Sequence, residues 1–120
     1  MPWAIEFHNE CEPEFLVFEP AVQDALLAVA KLLAGAQLGR PYADTLKGSK
    51  HPNMKELRFE ALNAEWRAAF AFDLKRQAVL LVAGGKSGRS EKRFYKQLIG
   101  KADKRFSTHV DRIITGQKGK

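Results

Sequence analysis

Apolar positions along the chain switch between two rhythms, one of period two and one of period three to four. Trp3, Ile5 and Phe7 alternate with Ala4 and Glu6, the pattern of a short first strand. Pro13 and Pro20 each suit the first turn of a helix, where a missing N–H costs nothing. Phe15, Leu16 and Phe18 between them predict a short helix. After Pro20, Val22, Leu26, Val29 and Leu33 form the stripe of an amphipathic helix that ends near Gly35 or Gly39. The stretch from Gly39 to Asn53 has no period and reads as a loop with one turn around Tyr42–Leu46. Loops of this length are often functional.

The period then returns to two. Leu57, Phe59 and Ala61 share one face of a strand, while Glu56, Arg58 and Glu60 share the other. In the next segment Trp66, Ala68, Phe70 and Phe72 oppose Arg67, Ala69 and Ala71. These are two half-buried antiparallel strands joined around Leu62-Asn63. The run from Gln77 to Ala83 is almost wholly apolar and predicts a more central strand, followed by the glycine-rich basic loop from Gly84 to Gly88. Ser90 opens a last helix with Tyr95, Ile99, Ala102, Phe106, Val110 and Ile113 as its apolar stripe. Lys101, Lys104, Arg105 and Arg112 lie off that stripe and are expected in water. The expected fold is α+β, strand–helix–helix–three strands–helix. Two N-terminal helices and one C-terminal helix pack on a small antiparallel sheet, on the face of Phe59, Trp66, Phe70 and Phe72. The opposite face, floored by Ala69 and Ala71, is left as a shallow concavity. Residues 1–120 form one domain with a frayed tail at 116–120.

Strand register decides what that second face presents. A two-residue link at Leu62-Asn63 sets Phe59 opposite Trp66 and Arg58 opposite Arg67. A four-residue link pairs Glu60 with Arg67 and leaves Arg58 one diagonal step away. In both cases two guanidinium groups emerge within about 8 Å of each other. Like charges so placed are destabilising, which suggests an anion or carboxylate between them. The blander alternative is an Arg–Glu lattice on a solvated sheet, with Glu56 and Glu60 as its acids.

Composition narrows the field. Twenty Lys and Arg stand against 14 Asp and Glu, a net charge of +6, and 45% of residues are hydrophobic. That is a globular composition, with no apolar run long enough for a membrane span and no signal-peptide pattern at the start. One cysteine, Cys11, fits a reducing cytoplasm. The charge is graded: six acids to two bases in residues 1–40, five to seven in 41–80, three to eleven in 81–120. A basic last third points to a polyanion, nucleic acid foremost, although a solvated lysine-rich helix would look the same.

A ribonuclease that works without metal needs a base at the 2′-hydroxyl, cations around the phosphorane and an acid for the leaving oxygen. Glu56 suits the base, and Arg58, Arg67 and Lys86 the cations. Tyr95, His51 or a basic side chain are candidates for the acid. His8, His51 and His109 show no ligand spacing, so no metal or other cofactor is expected. Cys11 has only His8 nearby and makes a poor nucleophile. The loop from Gly84 to Gly88 lacks the spacing of a nucleotide-binding phosphate loop.

Leu38-Gly39-Arg40-Pro41, Leu46-Lys47-Gly48-Ser49 and Asn53-Met54-Lys55-Glu56-Leu57-Arg58-Phe59 together resemble the phage-derived HigB-type toxins of the RelE/ParE toxin–antitoxin superfamily. Trp66-Arg67, Phe70-Ala71-Phe72-Asp73, Gly84–Gly88 and Phe94-Tyr95-Lys96 continue the resemblance in order, over about residues 3–112. It implies a RelE-like fold and a cytoplasmic toxin that cleaves mRNA in the ribosomal A site. It also implies a cognate antitoxin, expected to be a helix-turn-helix protein, with DNA bound only through the toxin–antitoxin complex. By that resemblance Arg67 contacts the scissile phosphate, Glu56 acts on the 2′-hydroxyl and Arg58 is the arginine of a Leu-Arg pair. Lys86 and Arg89 lie in a basic segment before the last helix. Lys47, Lys50, Lys55, Arg89 and Arg93 are then the residues expected to dock on RNA. Two departures stand out: Gly85 replaces a frequent Asp, and Tyr95 is offset. Two alternatives remain within the superfamily, a ParE-like toxin acting on gyrase without cutting RNA, and an inactive relative that binds nucleic acid only with its antitoxin.

Overall fold

A computed structural model describes residues 4–35, 43–75, 77–86, 88 and 90–116. The elements run β1 (Ala4–Phe7), α1 (Cys11–Leu16), α2 (Pro20–Gly35), β2 (Ala43–Thr45), β3 (Lys55–Ala61), β4 (Ala64–Phe72), β5 (Gln77–Gly85) and α3 (Glu91–Gly116). This is the expected α+β order with one added strand. Where the sequence predicts a turn around Tyr42–Leu46, Ala43–Thr45 pair with Lys55–Leu57 as a short edge strand. Trp3, the turn residue Arg76, the loop residue Ser87 and Arg89 fall outside the described residues, as does most of the expected tail.

The sheet is mixed rather than antiparallel. Its order is β1-β5-β4-β3-β2, and β1 runs parallel to β5, with Ile5 beside Ala78 and Phe7 beside Leu80. The chain leaves β1 through two helices that cross one face of the sheet, and it re-enters at the far edge. β1 therefore meets the last strand instead of the next one. The hairpins β3–β4 and β4–β5 are antiparallel as expected.

Helices cover both faces. On one side Val22, Leu26, Val29 and Ala30 of α2 and Phe15 of α1 pack on Leu57, Phe59, Phe70 and Leu80. The Gln23 amide ties the two helices together by donating to the carbonyls of Phe15, Leu16 and Phe18. On the other side Phe94, Leu98, Ala102 and Phe106 of α3 lie on Ala69, Ala71, Val79, Leu81 and Val82. This corrects the expectation of an open alanine floor: small side chains on a strand let a helix approach closely. A register shift at Ala69/Phe70 adds Leu81 to β5, so Leu81 and Val82 both face α3.

The stripe of α3 is centred one residue earlier than predicted. Phe94 and Leu98 are buried, with Tyr95, Ile99 and Val110 half-buried beside them. Arg105, expected in water, is buried, because its guanidinium donates to both Glu14 oxygens and to the Leu81 carbonyl. Lys101, Lys104 and Arg112 are exposed as expected. No described helix is long and apolar enough to cross a membrane.

Candidate active site

β3 and β4 meet at Leu62-Asn63, where both residues take positive φ, 56° and 59°. This is the mirror-image turn whose twist suits a two-residue hairpin. It pairs Ala61 with Ala64 and so places Phe59 opposite Trp66 and Arg58 opposite Arg67. The tighter of the two possible registers is thus the one adopted, and the two guanidinium groups need an anion between them.

Glu56 supplies it. The residue is only 4% exposed. Its Oε2 accepts from Arg58 Nη2 at 3.0 Å and Nε at 3.4 Å. Its Oε1 accepts from the Tyr95 hydroxyl at 2.8 Å and lies 3.7 Å from Arg67 Nε. Arg67 Nε donates to the same Tyr95 oxygen at 3.1 Å. Tyr95 arrives from the first turns of α3, which Ser90 begins by accepting the Arg93 amide on its Oγ. Gly84 sits opposite Arg67 on β5, and a Cβ there would lie 3.4 Å from the Phe94 ring. Phe94 docks against this part of the sheet and so brings the next residue, Tyr95, to Arg67. Burial pushes the Tyr95 hydroxyl above the ordinary tyrosine range, and its bond to Glu56 pushes the same way. It remains a protonated donor at neutral pH. The Glu56 bond raises the pKa of Arg58 in turn.

Lys86 completes the cluster. Its Nζ lies 3.4 Å from Glu65 Oε1, 3.9 Å from Glu91 Oε2 and 5.7 Å from the centre of the Tyr95 ring. Arg67 Nη2 donates to the same Glu65 oxygen at 3.2 Å, and Arg58 Nη2 lies 3.5 Å from Asp44 Oδ2. The Lys86 hydrogen bond holds the Glu65 carboxyl below the usual carboxylate range. Among the described residues three cations are therefore interleaved with four carboxylates, Asp44, Glu56, Glu65 and Glu91. The Arg–Glu lattice that the sequence left open for this face is present as a network of ion pairs, with Glu56 buried inside it rather than solvated. A cavity of about 320 Å³ opens onto it, lined by Asp44, Thr45, Lys47, Glu56, Arg58 and Tyr95.

Glu56, Arg58, Arg67, Lys86 and Tyr95 thus form one contiguous cluster, with Lys47 at its rim. The other described residues expected to dock on RNA, Lys50, Lys55 and Arg93, are dispersed. Lys50 is exposed beside α3, its amide bonded to Asp103. Lys55 lies one residue from Glu56, which by strand alternation is the opposite face. Arg93 is exposed two residues before Tyr95, on another side of α3. His51 bonds to Ser107 Oγ at 2.9 Å, roughly 18 Å along α3 from Tyr95, so it cannot serve as the acid. Burial pushes the Cys11 thiol up to about 12, with the Glu14 charge adding to it, which makes it inert as a nucleophile. Among the described residues no three His, Cys, Asp or Glu side chains are grouped to hold a metal ion.

Three acids escaped the sequence reading. Glu65 has the strand phase of Arg67 and was there to be found by the same alternation. Asp44 depends on β2, which has no periodic signal, and Glu91 on where α3 docks.

Residues 13–107 match the family described as Phage derived protein Gp49-like (DUF891). The chain is 47% identical over 77 residues to "Putative toxin HigB2" of Mycobacterium tuberculosis (strain ATCC 25618 / H37Rv), a match covering 63% of this chain and 38% of that one. It is 45% identical over 73 residues to "Putative toxin HigB3" of the same organism, 61% of each chain. In both cases the chain spans less than two thirds of the relative's length. The match to the family runs from α1 through most of α3 and takes in every residue of the cluster, so the chain belongs to the phage-derived Gp49-like family and is similar to HigB-type toxins.

Proposed function

We propose that this protein is the toxin of a toxin–antitoxin pair and that it inhibits translation by cutting mRNA on the ribosome without a metal ion. The names of its two relatives support the toxin reading. The observation that carries the chemistry is the buried Glu56 carboxylate, held between Arg58 and the Tyr95–Arg67 pair at the edge of a cavity.

In this reading Glu56 removes the proton of a ribose 2′-hydroxyl. The 2′-oxygen then attacks the adjacent phosphorus, and the bond from phosphorus to the 5′-oxygen breaks. Arg67 and Lys86 stabilise the charge that builds on the phosphorane oxygens. Tyr95 gives its proton to the departing 5′-oxygen, while Arg67 Nε stabilises the transient phenolate. The proton on Glu56 then returns to Tyr95 along the existing 2.8 Å contact. The products are a 2′,3′-cyclic phosphate and a 5′-hydroxyl, and the site ends as it began. Lys47 at the rim and the exposed Lys101, Lys104 and Arg112 of α3 provide docking charge for ribosomal RNA. A cognate antitoxin, in this reading a helix-turn-helix protein, would neutralise the toxin and bring it to DNA.

The test is in vitro translation with mapping of mRNA 3′ ends, with and without ribosomes. Wild type should cut ribosome-bound mRNA, and Arg67→Ala should cut at least about a hundredfold more slowly. DNA supercoiling by purified gyrase should be unaffected. Absence of cleavage, with wild type and Arg67→Ala arresting growth alike, would overturn the reading. Inhibited supercoiling would favour a gyrase toxin instead.

A further inference from the structure

We propose that Glu65 is a displaceable internal anion that occupies the phosphate position of this site until RNA takes its place. The inference rests on the RNA-cleaving reading and adds to it a residue that controls access to the cations.

Glu65 Oε1 receives Arg67 Nη2 at 3.2 Å and lies 3.4 Å from Lys86 Nζ. Where two cations converge on a single carboxylate oxygen, a non-bridging phosphate oxygen would find the same donors. The other nitrogens of Arg67 are committed: Nε to the Tyr95 hydroxyl and Nη1 to the Trp66 carbonyl at 3.0 Å. The side chains of Arg67 and Lys86 are only 11% and 18% exposed, while that of Glu65 is 59% exposed. The cations are held in place by the fold and their shared counter-ion is not.

Glu56 differs in kind. It is buried and takes donors on both oxygens, so it stays. Glu65 sits one residue from the turn end of β4 and can swing into water, because an exposed ion pair gains little over solvated ions. Its backbone is fixed by the Lys86 amide, which donates to the Glu65 carbonyl, so the side chain can leave without loosening the hairpin. A phosphodiester delivered by other contacts competes successfully for the two cations, whereas a small free anion competes poorly. Glu65 thereby makes the site selective for docked RNA.

The test measures binding, independently of cleavage. The full chain is titrated against a fluorescent single-stranded RNA with every 2′-hydroxyl methylated, at several salt concentrations. Glu65→Gln should bind about fivefold tighter at low salt, the upper scale of one exposed ion pair that no longer competes. Glu60→Gln, on the residue directly opposite Glu65, removes an equal charge and should gain much less. Combining Glu65→Gln with Arg67→Ala should abolish the gain. Affinity equal to or below wild type, a gain matched by Glu60→Gln, or a gain that survives Arg67→Ala would each overturn the proposal. If cleavage depends on Arg67 but Glu65→Gln gains nothing, the gate fails and the function stands. If no mRNA is cut while the Arg67-dependent gain appears, the reverse holds.

Discussion

The Tyr95 hydroxyl donates to Glu56 Oε1 and accepts from Arg67 Nε, so one oxygen couples the candidate base to the candidate phosphate-binding cation. Replacing Tyr95 by Phe keeps the ring against Phe94 and beneath Lys86 but removes that link. Glu56 keeps Arg58 as a donor, and Arg67 Nε, already 3.7 Å from Oε1, can close on it directly. Folding should therefore suffer by only about 1 kcal/mol, the worth of one hydrogen bond. Single-turnover cleavage on ribosome complexes should fall about a hundredfold or more, the usual contribution of a positioned acid. A Tyr95→Phe rate equal to wild type would take Tyr95 out of the chemistry. At this scale the sequence was informative wherever strand alternation assigns a face, as for Glu56, Arg58 and Arg67. Tyr95 came from the helical stripe and from family resemblance. Its partners could not be read, because they depend on where α3 lands.

Hairpin β3–β4 sets the distance between Arg58 and Arg67, and its turn is not built from the best residues. Both turn positions have positive φ, which favours Asn-Gly, yet the first is leucine, 56% exposed and without burial to compensate. A left-handed backbone at such a residue costs about 1–2 kcal/mol. The double replacement Leu62→Asn with Asn63→Gly should stabilise the protein by about 1 kcal/mol and raise Tm by about 4 °C. Cleavage should be unchanged, since the register is retained. A lower Tm in thermal melts would mean that Leu62 makes a contact worth more than the turn strain. The hairpin itself was legible because its two periods and short link admit few registers. β2 was not, since three residues carry no period. The parallel placement of β1 was also hidden, because neighbours in a sheet need not be neighbours in sequence. The second helical face was misread for a definite reason: Ala69 and Ala71 are as consistent with a helix seat as with an open floor.

Across the whole molecule, polar contacts tie α3 to α1 and to the end of β4, and the titrating groups among them, together with His8 and Cys11, set a pH window for stability. Arg105 of α3 grips Glu14 of α1, and His109 of α3 bonds Asp73 at the end of β4 at 2.9 Å. The Arg105 hydrogen bond holds the Glu14 carboxyl below its ordinary 4.5. Burial acts to raise Asp73, but hydrogen bonds from His109 and from the Gln77 and Lys75 amides outweigh it, and the net shift is downward from 3.8. Burial also lowers His8 from 6.5. Each of these groups binds its proton less readily in the folded chain, so the unfolded chain takes up protons first as the pH falls. Their contributions are complete above pH 6.5 for His8 and above about 4.5 for the two acids. They fade below those values. Cys11 has the opposite sign. Burial raises its thiol from 9.0 to about 12, so the unfolded chain ionises first and stability is lost as the pH rises through that interval. The slope approaches about 1.4 kcal/mol per pH unit. Denaturant melts should therefore give a stability plateau between pH 6.5 and 9, a shallow decline below 6.5, a steeper one below 4.5 and an alkaline decline above 9. Cys11→Ala should move the alkaline decline to about pH 10, where the raised Tyr95 hydroxyl imposes the next one. An unmoved alkaline limb in Cys11→Ala would show that another group sets it. A flat profile from pH 6.5 down to 4.5 would show that His8 meets a proton as easily folded as unfolded.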